Sequence, residues 1–99
     1  MSEIVFLLSA EIDIQEAYER YETYQEGRGA VFMQHLDAAL TLLRTFPEAA
    51  PVFRGRYRRL LVPRFPYGIF YSIESGRIIL SSVLYLPNDP QTILRRLGA

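Results

Sequence analysis

The sequence predicts an α+β domain in which the helices, two of them forming a hairpin, pack on one face of a mostly antiparallel sheet. Two observations predict this class. Residues 1–50 carry two stretches with apolar residues at the spacing of amphipathic helices, and residues 51–99 hold three strand-like runs separated by turn residues. The predicted element order is β-α-α-β-β-β-α. A length of 99 residues predicts a single domain, spanning 1–99.

The first predicted elements are a short strand and a helix. Residues 4–8 are apolar on both faces, as in a covered strand. Ser9 is the predicted N-cap of the helix, and the acidic residues from Glu11 to Glu16 suit the positive end of its dipole. Helical spacing of apolar residues continues to Tyr24, and the glycines of segment 27–29 end the pattern.

The second predicted helix carries the clearest apolar stripe of the chain, formed by Phe32, Leu36, Ala39, Leu40 and Leu43. It is expected to end near Phe46, because the residue before a proline, here Pro47, is pushed out of the α region. Few residues separate the two helices, so an antiparallel hairpin is expected.

Three strands and a last helix fill the second half of the sequence. The predicted strands are Tyr57–Val62, Gly68–Glu74 and Arg77–Tyr85. Ser75 and Gly76 form the predicted two-residue hairpin turn, because Gly accepts a positive φ. Asp89 is the predicted N-cap of the last helix, with proline following at its first position.

Composition excludes several classes of site. The chain has no Cys and one His, so disulfides, thiolate metal sites and multi-histidine metal sites are excluded, and no cofactor is predicted. Apolar residues make up 49% of the chain, which is rich for this size. This content indicates either a well-packed small core or apolar surface for a partner or a homodimer. The N-terminus lacks the basic and apolar segments of a secretory signal, and no run is long enough to span a membrane. The predicted compartment is the cytoplasm.

Charge is distributed unevenly along the chain. Residues 1–50 hold three Arg and nine acidic residues, a net of −6, whereas residues 51–99 hold eight Arg and two acidic residues, a net of +6. Five arginines lie between Arg54 and Arg64. Strand alternation places Arg58 and Arg59 on opposite faces of the sheet. Two roles remain open for this cluster, a structural one and the binding of an acidic partner.

The residues now on the page resemble the ParE branch of the RelE/ParE toxin superfamily. The segment Arg58–Glu74, with its run FPYGIFY, carries the most specific likeness. Residues 10–17, the stripe from Phe32 to Leu43, residues 82–84 and the Asp89-Pro90 pair extend it over almost the whole chain. The resemblance implies the toxin of a type II toxin–antitoxin module, of the kind also called a plasmid stabilisation system. It implies neutralisation by a cognate antitoxin and a target such as DNA gyrase.

Departures from the superfamily pattern separate the alternative functions. RelE-like relatives cleave mRNA on the ribosome with a cluster of basic residues. This chain keeps Arg58 and Arg59 of that cluster, but Gly68 falls where the resemblance places an arginine and Leu86 falls near another. The protein is therefore expected to act by binding more than as an enzyme, with the ribosome and mRNA as less favoured partners. The loop 85–88 is neutral and lacks the His of many ParE-like toxins, so a degenerate non-toxic relative is a third alternative.

The candidate site residues follow from the basic half and the resemblance. We expect contacts to antitoxin or target from Arg58, Arg59, Arg64, Tyr71, Tyr85, Arg95 and Arg96. No catalytic residue is predicted. A tyrosine pKa near about 10 is too high for proton transfer at neutral pH without large tuning. His35 is interpreted as a residue at the edge of its helix.

Overall fold

Five strands form one twisted sheet in the order β1-β5-β4-β3-β2 in the computed structural model, which describes residues 1–98. The elements are β1 (Ile4–Phe6), α1 (Leu8–Tyr24), α2 (Arg28–Thr45), β2 (Val52–Arg54), β3 (Tyr57–Leu61), β4 (Tyr67–Glu74), β5 (Arg77–Tyr85) and α3 (Pro90–Arg96). β1 pairs with β5 in parallel, whereas β2 with β3, β3 with β4 and β4 with β5 pair antiparallel. The predicted α+β class and mostly antiparallel sheet are confirmed. Ala99, the last residue of the predicted domain, lies outside the described residues.

The helical hairpin covers one face of the sheet. The α2 stripe is buried as predicted, with Phe32 and Leu43 fully inaccessible. It packs on Ile69 and Tyr71 of β4 and on Leu80 of β5, which belong to the same cluster of buried residues. Alternating residues of the strands therefore meet the helices, as a pleated sheet requires.

The last helix lies on the opposite face, which corrects the expectation that all helices share one face. Ile93 and Leu97 of α3 form a second cluster with Phe70 and Leu84. Phe70 points away from Ile69 and Tyr71 because successive side chains in a strand alternate. The sheet is thus covered on both faces, by the hairpin on one and by α3 on the other.

A bulge at Ser81 shifts the alternation of side chains along β5. Phe70 pairs with Ser82, whereas the next residue of β4, Tyr71, pairs with Leu80, so Ser81 has no partner on β4. The extra residue changes which side chains face the hairpin. As a result Leu80 and Val83, although three positions apart, lie in the same buried cluster.

Two local predictions were wrong. The predicted order lacks β2, a three-residue edge strand at Val52–Arg54, where the sequence analysis predicted no element. Ser9 is not an N-cap, because α1 begins at Leu8 and Leu7 occupies the cap position without a side-chain hydrogen bond. The Ser9 hydroxyl instead donates to the carbonyl oxygen of Ser81 at 2.7 Å. It ties α1 to the bulge.

The predicted turns and cap of the second half are confirmed. Ser75 and Gly76 both have positive φ, 52° and 74°, as a tight β4–β5 hairpin turn requires. The carboxylate of Asp89 accepts a hydrogen bond from the backbone N–H of Gln91, and Pro90 begins α3. The turn residues Ser75 and Gly76 thus set the start of β5, and the cap residue Asp89 sets the start of α3.

Candidate partner-binding surface

Arg58 and Tyr71 hold the loop that follows α2. They are paired across β3 and β4 and point to the hairpin side. The Arg58 guanidinium donates to the carbonyl oxygen of Ala50 at 2.8 Å, and the Tyr71 hydroxyl donates to that of Pro47 at 2.7 Å. Tyr71 is fully buried. These two candidate residues therefore stabilise the fold from within.

Arg59 lies on the other face, as strand alternation predicts. Its guanidinium carbon sits 5.0 Å from the ring centroid of Phe53, a cation–π contact with the edge strand β2. Its stem packs on Gly68 of β4. A Cβ at position 68 would lie 3.2 Å from Arg59 Cγ and 3.1 Å from Leu86 Cδ2. The two positions at which this chain departs from RelE-like toxins, Gly68 and Leu86, are thus adjacent to Arg59.

A cleft of about 370 Å³ opens beside Arg59 between the sheet and α3. We call it the arginine cleft; its lining residues are Phe53, Arg54, Arg59, Leu86, Asn88, Pro90, Ile93 and Leu94. Its walls are mostly apolar, and its two charged groups are both guanidiniums. Such a cleft suits a partner with an apolar body and a carboxylate or phosphate edge.

The remaining predicted arginines are dispersed. Arg64 has a φ of 67° in the β3–β4 turn and is exposed. Arg95 is exposed and donates to the hydroxyl of Thr92 on its own helix. Arg96 turns to the sheet edge and forms a salt bridge with Asp13 of α1 at 2.8 Å. The seven candidate residues therefore do not form one site.

Tyr85 belongs to a second polar cluster, on the hairpin side of the sheet. The guanidinium carbon of Arg20 lies 4.2 Å from its ring centroid, and the ring of Tyr67 packs at 5.5 Å. Burial raises the pKa of Tyr67 and of the neighbouring Tyr21, and the positive charge of Arg20 opposes the rise. The hydroxyls of Tyr21 and Tyr67 therefore stay protonated at neutral pH and are available as neutral hydrogen-bond donors.

The single histidine has a structural position. His35 Nδ1 lies 2.9 Å from the carbonyl oxygen of Val31, one turn earlier in α2. Its ring packs edge-on against Phe65. The interpretation as a helix-edge residue is confirmed. Within residues 1–98 no group of three potential metal ligands comes together, and no helix is long and apolar enough to cross a membrane.

Sequence reasoning missed the arginines of the acidic half. Arg20 and Arg28 were hidden among the glutamates of the hairpin, and their neighbours, Tyr85 and Phe65, lie far along the chain. It also assigned no specific role to Glu22. The Glu22 carboxylate in fact accepts hydrogen bonds from the backbone N–H groups of Gly27 and Gly29 at 3.0 Å. It caps the start of α2, where a loop signal alone was visible.

Comparison with known proteins defines the class. The family model described as "ParE toxin of type II toxin-antitoxin system, parDE" matches residues 4–85, so the chain belongs to this family of toxins. Among solved structures, a chain of the chromosomal ParDE TA system from P. aeruginosa superposes with a TM-score of 0.77 at 14% identity. The match covers 87% of this chain and 97% of that chain. At this identity it supports the fold alone. No curated protein matches the sequence.

Proposed function

We propose that this toxin inhibits growth by binding its target through the arginine cleft, that the target is DNA gyrase, and that a cognate antitoxin neutralises it. The observation that carries the proposal is the adjacency of Arg59, Gly68 and Leu86. Gly68 falls where the resemblance to RelE-like toxins places an arginine, and Leu86 falls near another such position. The face that would cleave RNA in such relatives is here suited to binding.

The composition of the arginine cleft supports binding over chemistry. Cleavage of a phosphodiester needs a group that moves a proton as well as positive charge near the phosphate. The residues that line the cleft include Arg54 and Arg59 but no His, Asp, Glu or Tyr. Two guanidiniums above an apolar floor can grip carboxylates of a protein target bidentately.

Apolar residues at the surface support a covering antitoxin. Leu8 and Ile12 of α1, one helical turn apart, are 70% and 49% exposed. Phe46, at the end of α2, is 59% exposed and borders an open cleft of about 580 Å³. Exposed apolar surface of this kind is typical of a protein that binds a protein partner.

The test is controlled induction of the chain without an antitoxin, followed by a supercoiling assay with purified gyrase. We expect growth arrest and loss of supercoiling, both abolished by Arg54→Ala with Arg59→Ala and both retained by Arg77→Ala, an exposed arginine of the β4–β5 turn. Arrest with cleaved transcripts and active gyrase would favour the RelE-like endonuclease instead. Unaffected growth would favour the non-toxic relative. Co-expression of a cognate antitoxin tests neutralisation, and we expect it to restore growth.

A further inference from the structure

A pocket beside the turn between α1 and α2 combines two arginines with three tyrosines. We call it the tyrosine–arginine pocket; its lining residues are Arg20, Tyr21, Tyr24, Arg28, Pro66 and Tyr85. It has a volume of about 390 Å³ and lies on the hairpin side, away from the arginine cleft. Only Tyr85 of this set was a candidate from sequence.

Both arginines of the pocket are held in place by aromatic rings. Arg20 stacks on Tyr85 at 4.2 Å and Arg28 stacks on Phe65 at 5.5 Å, measured from guanidinium carbon to ring centroid. Such contacts orient a guanidinium while leaving its N–H groups available. Burial raises the pKa of the Tyr21 phenol, and the positive charges of Arg20 and Arg28 both oppose that rise.

Neither arginine has an acidic partner within residues 1–98. The salt bridge found there joins Arg96 and Asp13. The Nε–H of Arg28 is in addition buried without an acceptor in this part of the chain. Buried donors are nearly always hydrogen-bonded in proteins, so an unpaired donor beside this pocket favours a ligand that supplies an acceptor. The carboxylate of Glu22 in α1 is engaged by the backbone N–H groups of Gly27 and Gly29.

The surroundings of the pocket select the kind of anion. Residues 1–30 hold seven Asp or Glu and two Arg, and both of those arginines line the pocket. A nucleic acid, with one charge every ~1.7 Å of duplex, would be repelled by the acidic helix around the pocket. A single carboxylate set among basic residues would instead be attracted both inside the pocket and at its rim.

We propose that the tyrosine–arginine pocket binds one Asp or Glu side chain of a protein segment whose neighbouring residues are basic and aromatic. The carboxylate receives hydrogen bonds from Arg20, Arg28 and the tyrosine hydroxyls, and an adjacent aromatic ring packs on Tyr24, which is 79% exposed. The identification of that segment as part of the antitoxin rests on the proposed function. The chemical preference of the pocket does not.

The experiment follows the Arg Nε–Hε signals of the labelled full chain by NMR. The probes are the peptides acetyl-Lys-Phe-Glu-Lys-amide and acetyl-Lys-Phe-Gln-Lys-amide and a short oligothymidylate. We expect the Glu peptide to shift the Arg20 and Arg28 signals and to bind about tenfold more tightly than the Gln peptide, since a charge-assisted bond is lost. Arg28→Gln should remove this difference, whereas Arg77→Gln should retain it.

Two results would overturn the inference. One is equal affinity for the two peptides with wild-type protein, a result that does not depend on how any variant folds. The other is stronger perturbation of the same signals by the oligonucleotide, which would assign the pocket to nucleic acid. Growth arrest on induction is independent of both results, so failure of the pocket and failure of the toxin proposal are distinguishable.

Discussion

Arg96 of α3 donates to both carboxylate oxygens of Asp13 in α1, each at 2.8 Å, although 83 positions separate them. The same carboxylate accepts a hydrogen bond from the backbone N–H of Val83 at 3.1 Å. Strand β1 pairs with β5 only from Ile78 to Leu80, so Asp13 takes the place of a neighbouring strand further along the edge. One side chain thus joins the sheet edge and the helices of both faces.

Removal of this carboxylate should destabilise the protein more than removal of its partner. Asp13 has a side chain only 5% exposed, whereas that of Arg96 is 41% exposed. We expect Asp13→Ala to lower the free energy of unfolding by about 2–3 kcal/mol, because Val83 and Arg96 both lose an acceptor. Arg96→Gln should cost about 1 kcal/mol. Urea denaturation followed by circular dichroism measures both.

The matched control for Asp13 is Glu11→Ala, which removes an exposed acid from the same helix. Its effect should stay within about 0.5 kcal/mol. Equal losses for Asp13→Ala and Glu11→Ala would contradict the role assigned to the carboxylate at the sheet edge.

Gly29→Ala should destabilise the protein even though alanine favours helices. A Cβ at position 29 would lie 2.7 Å from Tyr18 Cε2 and 3.0 Å from the Glu22 carboxylate that caps α2. The expected loss is about 1–3 kcal/mol from overpacking, in place of the gain of about 1 kcal/mol seen at an open helical position. A raised melting temperature in differential scanning calorimetry would show that α1 and α2 are less closely packed than described.

Substitutions of the two neighbouring arginines of β3 should affect different properties, stability for Arg58 and toxicity for Arg59. Arg58→Ala removes hydrogen bonds to the loop after α2, so we expect a loss of about 1–2 kcal/mol in the free energy of unfolding. Arg59→Ala removes a partly exposed side chain from the arginine cleft and should change stability by less than about 1 kcal/mol. In cells, Arg59→Ala should relieve growth arrest at unchanged protein abundance. Relief by Arg58→Ala alone, with Arg59→Ala fully toxic, would reverse these roles.

Stability should decrease as the pH rises above about 10. Burial raises the pKa of Tyr21, Tyr67 and Tyr71 in the folded state. Below the ordinary tyrosine pKa these groups are protonated in both states, and their contribution to stability is fully present. Above it the unfolded chain loses protons before the folded chain does, which favours unfolding. Urea midpoints at pH ~8 and ~10.5 measure the decrease.

Tyr71→Phe provides the control for this pH dependence. It should lower stability at pH ~8 by about 1 kcal/mol, because the hydrogen bond to Pro47 is lost. It should also show a smaller decrease at alkaline pH than the wild type. An identical decrease in both proteins would remove Tyr71 as a contributor.

Local patterns predicted most of the fold. The stripe from Phe32 to Leu43 predicted α2, because burial of a helix face requires that spacing and nothing from the rest of the chain. Turn and cap chemistry likewise placed Ser75 and Asp89. The three-residue β2 escaped notice because so short a strand has no periodicity to detect.

The candidate site was less predictable than the fold. The sequence placed Arg58 and Arg59 on opposite faces, but it did not show which face carried the loop and which carried a cleft. Arg20 and Arg28 are positioned by contacts with the rings of Tyr85 and Phe65, which lie 65 and 37 positions further along the chain. Local sequence does not reveal such contacts.

The sequence by itself determined the elements of this ParE-family toxin, the split of its charge and the separation of adjacent arginines, since these depend on repeats of two or three to four residues. The tertiary structure alone decided that α3 crosses to the second face, that Asp13 closes the sheet edge and that two arginines of the acidic half line a pocket. Those features depend on contacts between distant residues. Such contacts are fixed by how the two layers pack on the sheet, which local spacing does not encode.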